Sequence, residues 1–243
     1  LTKPSFSSFA TSTVFQTVSL IKIQTMQNFK YIFFDLDGTL VDSSAGIKNA
    51  FHYAFTSLNI KTPDSKELDT FIGPPLEVSF ASVVPEADIN HAIALFREYY
   101  KNKGVFETQL YHGVKELLLE LENSDYHIYI TTSKNEVMAN KMAQYLKIDK
   151  HFNGIFGSLP NSYHKADVLT RALNYSHANL NQSVIVGDTK FDMIGGKSVG
   201  MNTLGVLWGF GYRDELINNG ADFISNSPQN LLTALINNTL HKL

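Results

Sequence analysis

With 243 residues, 44% of them hydrophobic, the chain can bury a substantial core, as one large domain or as one domain carrying a smaller insertion. Its net charge of −3 gives no basic footprint for nucleic acid, so small anionic ligands would have to be held by local groups. The absence of cysteine excludes disulfides, thiolate zinc sites and a cysteine nucleophile, and leaves carboxylate nucleophiles open.

Residues 1–25 hold ten Ser or Thr and no acidic residue, and no sheet-like pattern has begun there. They are expected to form a disordered or incidental extension, with Met26 as a start directly before the first strand. The apolar stretch Val18 to Ile23 is short and broken by Ser19 and Lys22, so neither a signal peptide nor a membrane span is predicted and the expected compartment is the cytoplasm. The first strand is Tyr31-Ile32-Phe33-Phe34, an apolar run that ends abruptly in Asp35-Leu36-Asp37-Gly38-Thr39. Asp42, with Ser43 or Ser44, can cap a helix whose apolar positions Ile47, Ala50, Phe51, Ala54, Phe55 and Leu58 keep three- and four-residue spacing. From there to about Tyr111 the patterns are helical, with a second amphipathic face at Ile89, Ile93, Phe96 and Tyr100 and a break at Gly73-Pro74-Pro75. No strand is predicted in this stretch.

After Gly113 strands and helices alternate. A helix marked by Val114, Leu117, Leu118 and Leu121 precedes a strand at Ile128–Thr132 and a helix over Val137–Leu146. Strands follow at Gly154–Phe156, Val184–Val186, Asn202–Val206 and Asp222–Ile224. This alternation predicts parallel strands with right-handed crossovers, an α/β three-layer sandwich.

Two strand ends deliver acids. Asp35 and Asp37 follow the first strand, where ligands collect in open α/β sheets. Burying two carboxylates side by side is costly unless a cation or hydrogen-bond donors neutralise them, and a divalent metal with a phosphate meets that need. Asp188 follows Val184-Ile185-Val186-Gly187, with Asp192 four residues on. A pair of helix N-cap acids is the plainer reading there, but two such junctions in one parallel sheet are hard to explain in that way. Thr132, or Thr131 one register step away, offers a hydroxyl at a strand end, and Lys165 opens a helix.

In this order the motifs resemble those of the haloacid dehalogenase (HAD) superfamily. Asp35-Leu36-Asp37-Gly38-Thr39 is similar to its phosphatase signature Asp-x-Asp-Gly-Thr, and candidates for the other three signatures follow at Thr132 with Ser133, at Lys165 in Lys-x-Asp-Val-Leu, and at Gly187-Asp188 with Asp192. Together they cover residues 30–225, and the pattern, with Leu207–Gly211 and Gly220–Ile224, is similar to phosphoglycolate phosphatase-like members. The resemblance implies a Rossmann-like core of residues 26–42 and 113–243 and an inserted all-helical cap of residues 43–112. It implies a Mg²⁺-dependent phosphomonoesterase, with a metal shell of the Asp35 and Asp188 carboxylates and the Asp37 carbonyl. Asp35 would be the nucleophile forming an aspartyl phosphate, and Asp37 the acid and base. Lys165 would pair with Asp35 and bind the phosphoryl group with Thr132 and the Ser133 amide, while Asp192 would orient Lys165 or metal-bound water. Gly73, in the cap loop, would touch substrate. Trp208 and Phe210 either line the rim facing the cap or pack against the core edge. The chain departs from the family at His112, where relatives commonly have proline, without losing a catalytic group. The implied partner is a small phosphorylated metabolite, with no nucleic acid or membrane, and the chain would be a monomer or homodimer. Similar family members act on phosphoglycolate, pyrophosphate or nucleoside monophosphates, so substrate identity does not transfer. A phosphomutase, or a binding module that has kept the fold without turnover, are the competing expectations.

Overall fold

The computed structural model describes residues 28–73, 76–160 and 162–243. The expectation for residues 1–25 therefore lies outside the described residues, as do Pro74 and Pro75 of the predicted break. The strands are β1 (Tyr31–Phe34), β2 (Val41–Asp42), β3 (Gln109–Leu110), β4 (His127–Asn135), β5 (Gly154–Ser158), β6 (Ser183–Gly187), β7 (Asn202–Val206) and β8 (Phe223–Ser225). The helices are α1 (Ser44–Ser57), α2 (Ser65–Asp69), α3 (Leu76–Ala81), α4 (Ile89–Asn102), α5 (Val114–Asn123), α6 (Glu136–Tyr145), α7 (Lys165–Ser176), α8 (Lys190–Ser198), α9 (Arg213–Asn218) and α10 (Pro228–Ile236).

Six strands form one parallel sheet in the order β5-β4-β1-β6-β7-β8. β1 runs as a continuous apolar stretch because both of its faces are covered. Ile32 and Phe34 join the cluster that holds Leu117 and Leu118 of α5 and Leu231 and Leu235 of α10. Phe33, one residue out of phase, joins Leu169 and Ala172 of α7. A two-residue period thus puts helices on both faces of the sheet, the predicted three-layer arrangement. The chain fills the sheet on one side of β1 and then returns to the other with β6, so the ends of β1, β4 and β6 flank a topological switch point, where a crevice opens above the sheet.

Between β2 and β3 the chain holds α1 to α4. Phe51 is the hub of their packing, with ring centroids 4.8 to 5.2 Å from Phe71, Phe80 and Phe96. The N-cap of α1 is Ser43, whose side chain makes no capping bond; Asp42, one residue earlier, accepts through Oδ1 from the Ser44 backbone N–H at 3.0 Å and from the Ser44 hydroxyl. β2 and β3 pair antiparallel, Val41 with Leu110 and Asp42 with Gln109, where the chain leaves the sheet layer and comes back. β3 corrects the expectation that no strand lies between the first helix and Tyr111. A two-residue strand has no periodicity to read, and β3 exists only because β2 lies beside it.

Candidate active site

Every acid singled out in the sequence lies above the switch point. β1 ends at Phe34, and the Asp35 backbone N–H still donates to the Val186 carbonyl of β6 at 2.8 Å, which fixes the first acid beside the second junction. Asp188 follows β6 and is fully buried. Its Oδ1 accepts from the Thr39 hydroxyl at 3.0 Å and its Oδ2 from the Phe210 backbone N–H at 2.8 Å. Asp192 forms a capping box with Thr189 at the start of α8, accepting through Oδ2 from the Thr189 N–H and hydroxyl, and keeps Oδ1 for Lys165. Asp192 is thus the N3 residue of a capping box whose N-cap is Thr189, not an N-cap itself, and its other oxygen faces the Lys165 ammonium.

Lys165 opens α7, and its buried ammonium joins the groups: it lies 2.7 Å from Asp35 Oδ1, 2.7 Å from Asp192 Oδ1 and 2.9 Å from the Thr131 carbonyl, to which it donates. Burial opposes its charge, but Asp192 and Asp35 outweigh that and hold the ammonium above the ordinary lysine range. Burial, partly offset by Lys165 and reinforced by Asp192, pushes the Asp35 carboxyl up to about 7. Burial and then the neighbouring charges of Asp192 and Asp35 raise Asp188 well above the carboxylate range, against the pull of Phe210 and Thr39.

One oxygen from each of Asp35, Asp188 and Asp192 can be chosen so that all lie within 4.8 Å of one another. Of these three buried acids Asp35 and Asp192 share one ammonium and Asp188 has none, so the cluster is short of positive charge. An all-oxygen donor set that is short of positive charge fits a hard divalent cation. Glycines make room for this density of acids. Gly38 sits at φ +84°, and a Cβ on it would stand 2.1 Å from Asp188 Oδ2.

The comparisons with known proteins decide the family. A model of the haloacid dehalogenase-like hydrolases matches residues 32–206. A 5'-nucleotidase of Pseudomonas aeruginosa is 34% identical over 189 residues, 76% of this chain and 86% of that one. The chain belongs to the haloacid dehalogenase-like hydrolases. A phosphoglycolate phosphatase of Vibrio cholerae is 26% identical over 87% of this hydrolase and 99% of its own length. A haloacid dehalogenase-like family hydrolase from Streptococcus pneumoniae superposes with a TM-score of 0.81 at 46% identity, covering 85% of this chain and 98% of that one. The chain is thus a HAD-type enzyme with phosphatases among its relatives, as the motifs imply.

In this hydrolase a pocket of about 180 Å³ is lined by Asp35, Asp37, Thr132, Ser133, Lys165 and Asp192 among others, and Gly73 also borders it. Thr132 reaches the pocket with its hydroxyl accepting from the Lys134 N–H at 3.1 Å, whereas Thr131 is fully buried and contributes its carbonyl to Lys165. Phe210 lines the pocket as well, while Trp208 packs against the main core and donates its indole N–H to the Thr39 carbonyl at 2.8 Å. Gly73 has φ +107° and nothing within 4 Å of its would-be Cβ, so the backbone, not space, requires glycine there.

Three contributors were not singled out from the sequence. Lys134 lies 3.0 Å from Asp37 Oδ2 and donates at 2.7 Å to the hydroxyl of Tyr100, which comes from α4. Thr39 and the Phe210 amide hold Asp188. Lys134 stands two residues past Thr132 at the same strand end, and a cation at that spacing was the available signal. A backbone amide leaves none.

Proposed function

We propose that this hydrolase is a Mg²⁺-dependent phosphomonoesterase that hydrolyses a small phosphorylated metabolite through an aspartyl phosphate on Asp35. The observation that carries the reading is the Lys165 ammonium held 2.7 Å from both Asp35 and Asp192 at the bottom of a pocket that Asp37, Thr132 and Ser133 also line. The Asp35 and Asp188 carboxylates and the Asp37 backbone carbonyl would hold the ion. When bound, it screens the charge of the phosphate and polarises the phosphoryl group.

The chain's own residues do the rest. Lys165 keeps Asp35 pointed into the pocket and meets the incoming anion, and Asp192 holds Lys165 in place. Thr132 and the Ser133 amide take phosphoryl oxygens. The Asp35 carboxylate attacks phosphorus, the bond from phosphorus to the ester oxygen breaks, and Asp37 gives its proton to the departing alcohol. The Asp37 carboxylate then takes a proton from the attacking water, and inorganic phosphate leaves as Asp35 is regenerated. The helical segment, residues 43–112, acts as a cap over the core of residues 26–42 and 113–243, excluding water and bringing Gly73 to the substrate. The enzyme works in the cytoplasm as a monomer or homodimer.

Phosphate release from a panel of phosphomonoesters, with Mg²⁺ or EDTA, tests the reading in wild type and Asp35→Asn. Metal-dependent turnover that falls by about 10³-fold or more in Asp35→Asn is expected. Turnover indifferent to EDTA, or equal in the two proteins, would overturn it.

A further inference from the structure

Asp188 is held differently from the other two acids of the cluster. Asp35 and Asp192 face the Lys165 ammonium, whereas Asp188 makes no ion pair among the described residues. Two neutral donors hold it instead, the Thr39 hydroxyl 3.0 Å from Oδ1 and the Phe210 backbone N–H 2.8 Å from Oδ2. Whatever fixes these two donors therefore fixes where the carboxylate's remaining lone pairs point.

Both donors are fixed by one short segment, residues 207–211, which follows β7 and lies across the turn after β1. Phe210 supplies its own amide. Two residues earlier, Trp208 donates its indole N–H to the Thr39 carbonyl at 2.8 Å, and so grips the residue whose hydroxyl holds the other oxygen. The approach is too close for side chains. A Cβ on Gly209 would stand 2.2 Å from the Gly38 carbonyl oxygen and 2.5 Å from the Asp188 Cβ, and one on Gly211 would stand 1.9 Å from the Asp188 carbonyl oxygen. Trp208 is half-buried against the main core, a place that any large apolar side chain could fill. The directed indole N–H is what such a side chain could not supply.

We propose that Trp208 is a positioning residue for the metal site: through Thr39 it holds the Asp188 carboxylate in place for the ion, and so sets the affinity for Mg²⁺. The inference rests on the reading given above, in which Asp188 is a ligand of that ion.

Calorimetric titration of the full chain with Mg²⁺ tests it in wild type, Trp208→Phe, Thr39→Val and the double variant. Trp208→Phe keeps an aromatic ring and loses the N–H, and Thr39→Val keeps the shape and loses the hydroxyl. Each is expected to weaken Mg²⁺ binding about tenfold. The double variant is expected to bind within about threefold of Thr39→Val alone, because the indole acts only through that hydroxyl. A role in packing alone would lower the Tm and leave the Mg²⁺ affinity as in wild type. An unchanged affinity in Trp208→Phe, or losses that multiply in the double variant, would overturn the inference and leave the metal reading standing. Wild type that binds no Mg²⁺ would overturn both. Trp208 is the chain's single tryptophan, so its emission gives a second readout that needs no variant. Should either variant fail to fold, wild-type emission decides: a shift with Mg²⁺ at the midpoint of the heat supports the inference, and emission indifferent to bound Mg²⁺ overturns it.

Discussion

Asp35 shows how one residue can be useful and costly together. Its carboxyl is buried beside two other acids, and its pKa in the folded protein stands near 7 against an ordinary 3.8. Between those values the folded state binds more protons at this site than the unfolded chain, so this group removes stability as the pH rises through the window. Asparagine in its place cannot ionise. In EDTA the Tm of Asp35→Asn relative to wild type is therefore expected to rise between about pH 4 and about pH 8. If the proposed site holds Mg²⁺, the ion at the upper pH is expected to raise the wild-type Tm and shrink the gap, because a ligand of the folded state alone stabilises it. Thermal melts at the two pH values, with and without the ion, check both parts. A Tm difference that does not move with pH would show that Asp35 carries no buried-charge penalty.

Among the elements, those whose residues speak for themselves were readable in the sequence. β1 and β6 are apolar runs that stop at acids, and the run, the glycine and the acid each have a local cause. α1 was legible from Ala50, Phe51, Ala54 and Phe55 at helical spacing. What could not be read is what depends on a partner far along the chain: β3 needs β2, Lys134 needs Tyr100, and Asp188 needs a peptide N–H whose residue type is irrelevant. The helical segment depends on Phe51 in the same way that the sheet depends on β1. Its ring contacts three others from α3, α4 and the turn after α2. Phe51→Ala is expected to cost about 3–5 kcal/mol. Because the loss falls inside α1 to α4, amide exchange in those helices should quicken well before exchange in β1, β4 and β6. Uniform acceleration across the chain would mean that the segment and the sheet layer unfold as one unit.

At the scale of the whole molecule, the helical segment meets the sheet layer in two unlike ways. The β2–β3 pair ties it covalently and by backbone hydrogen bonds at the point of departure. At its far side a polar chain runs from the Tyr100 hydroxyl through the Lys134 ammonium to Asp37, with the Lys134 ammonium 4.4 Å from the Tyr100 ring centroid. Burial opposes the Lys134 charge, but Asp37 and then Tyr100 overcome it and hold the group protonated. Asp37 is the residue proposed to move protons at the leaving oxygen, so the position of α4 is linked to the group that must be placed most accurately. Tyr100→Phe keeps the ring and removes one hydrogen bond to a charged donor, a change of about 1.5–3 kcal/mol if it is felt fully in the transition state. The expected result is a fall in kcat of about tenfold or more, with the protein still folded. Lys134→Met should fall further, and adding Tyr100→Phe to it should cost little more, because the hydroxyl acts through the ammonium. Steady-state kinetics of the two single variants and the double variant decide the matter: losses that simply add would show that Tyr100 and Lys134 act independently, and that closure of the helical segment is not read by Asp37 through this chain.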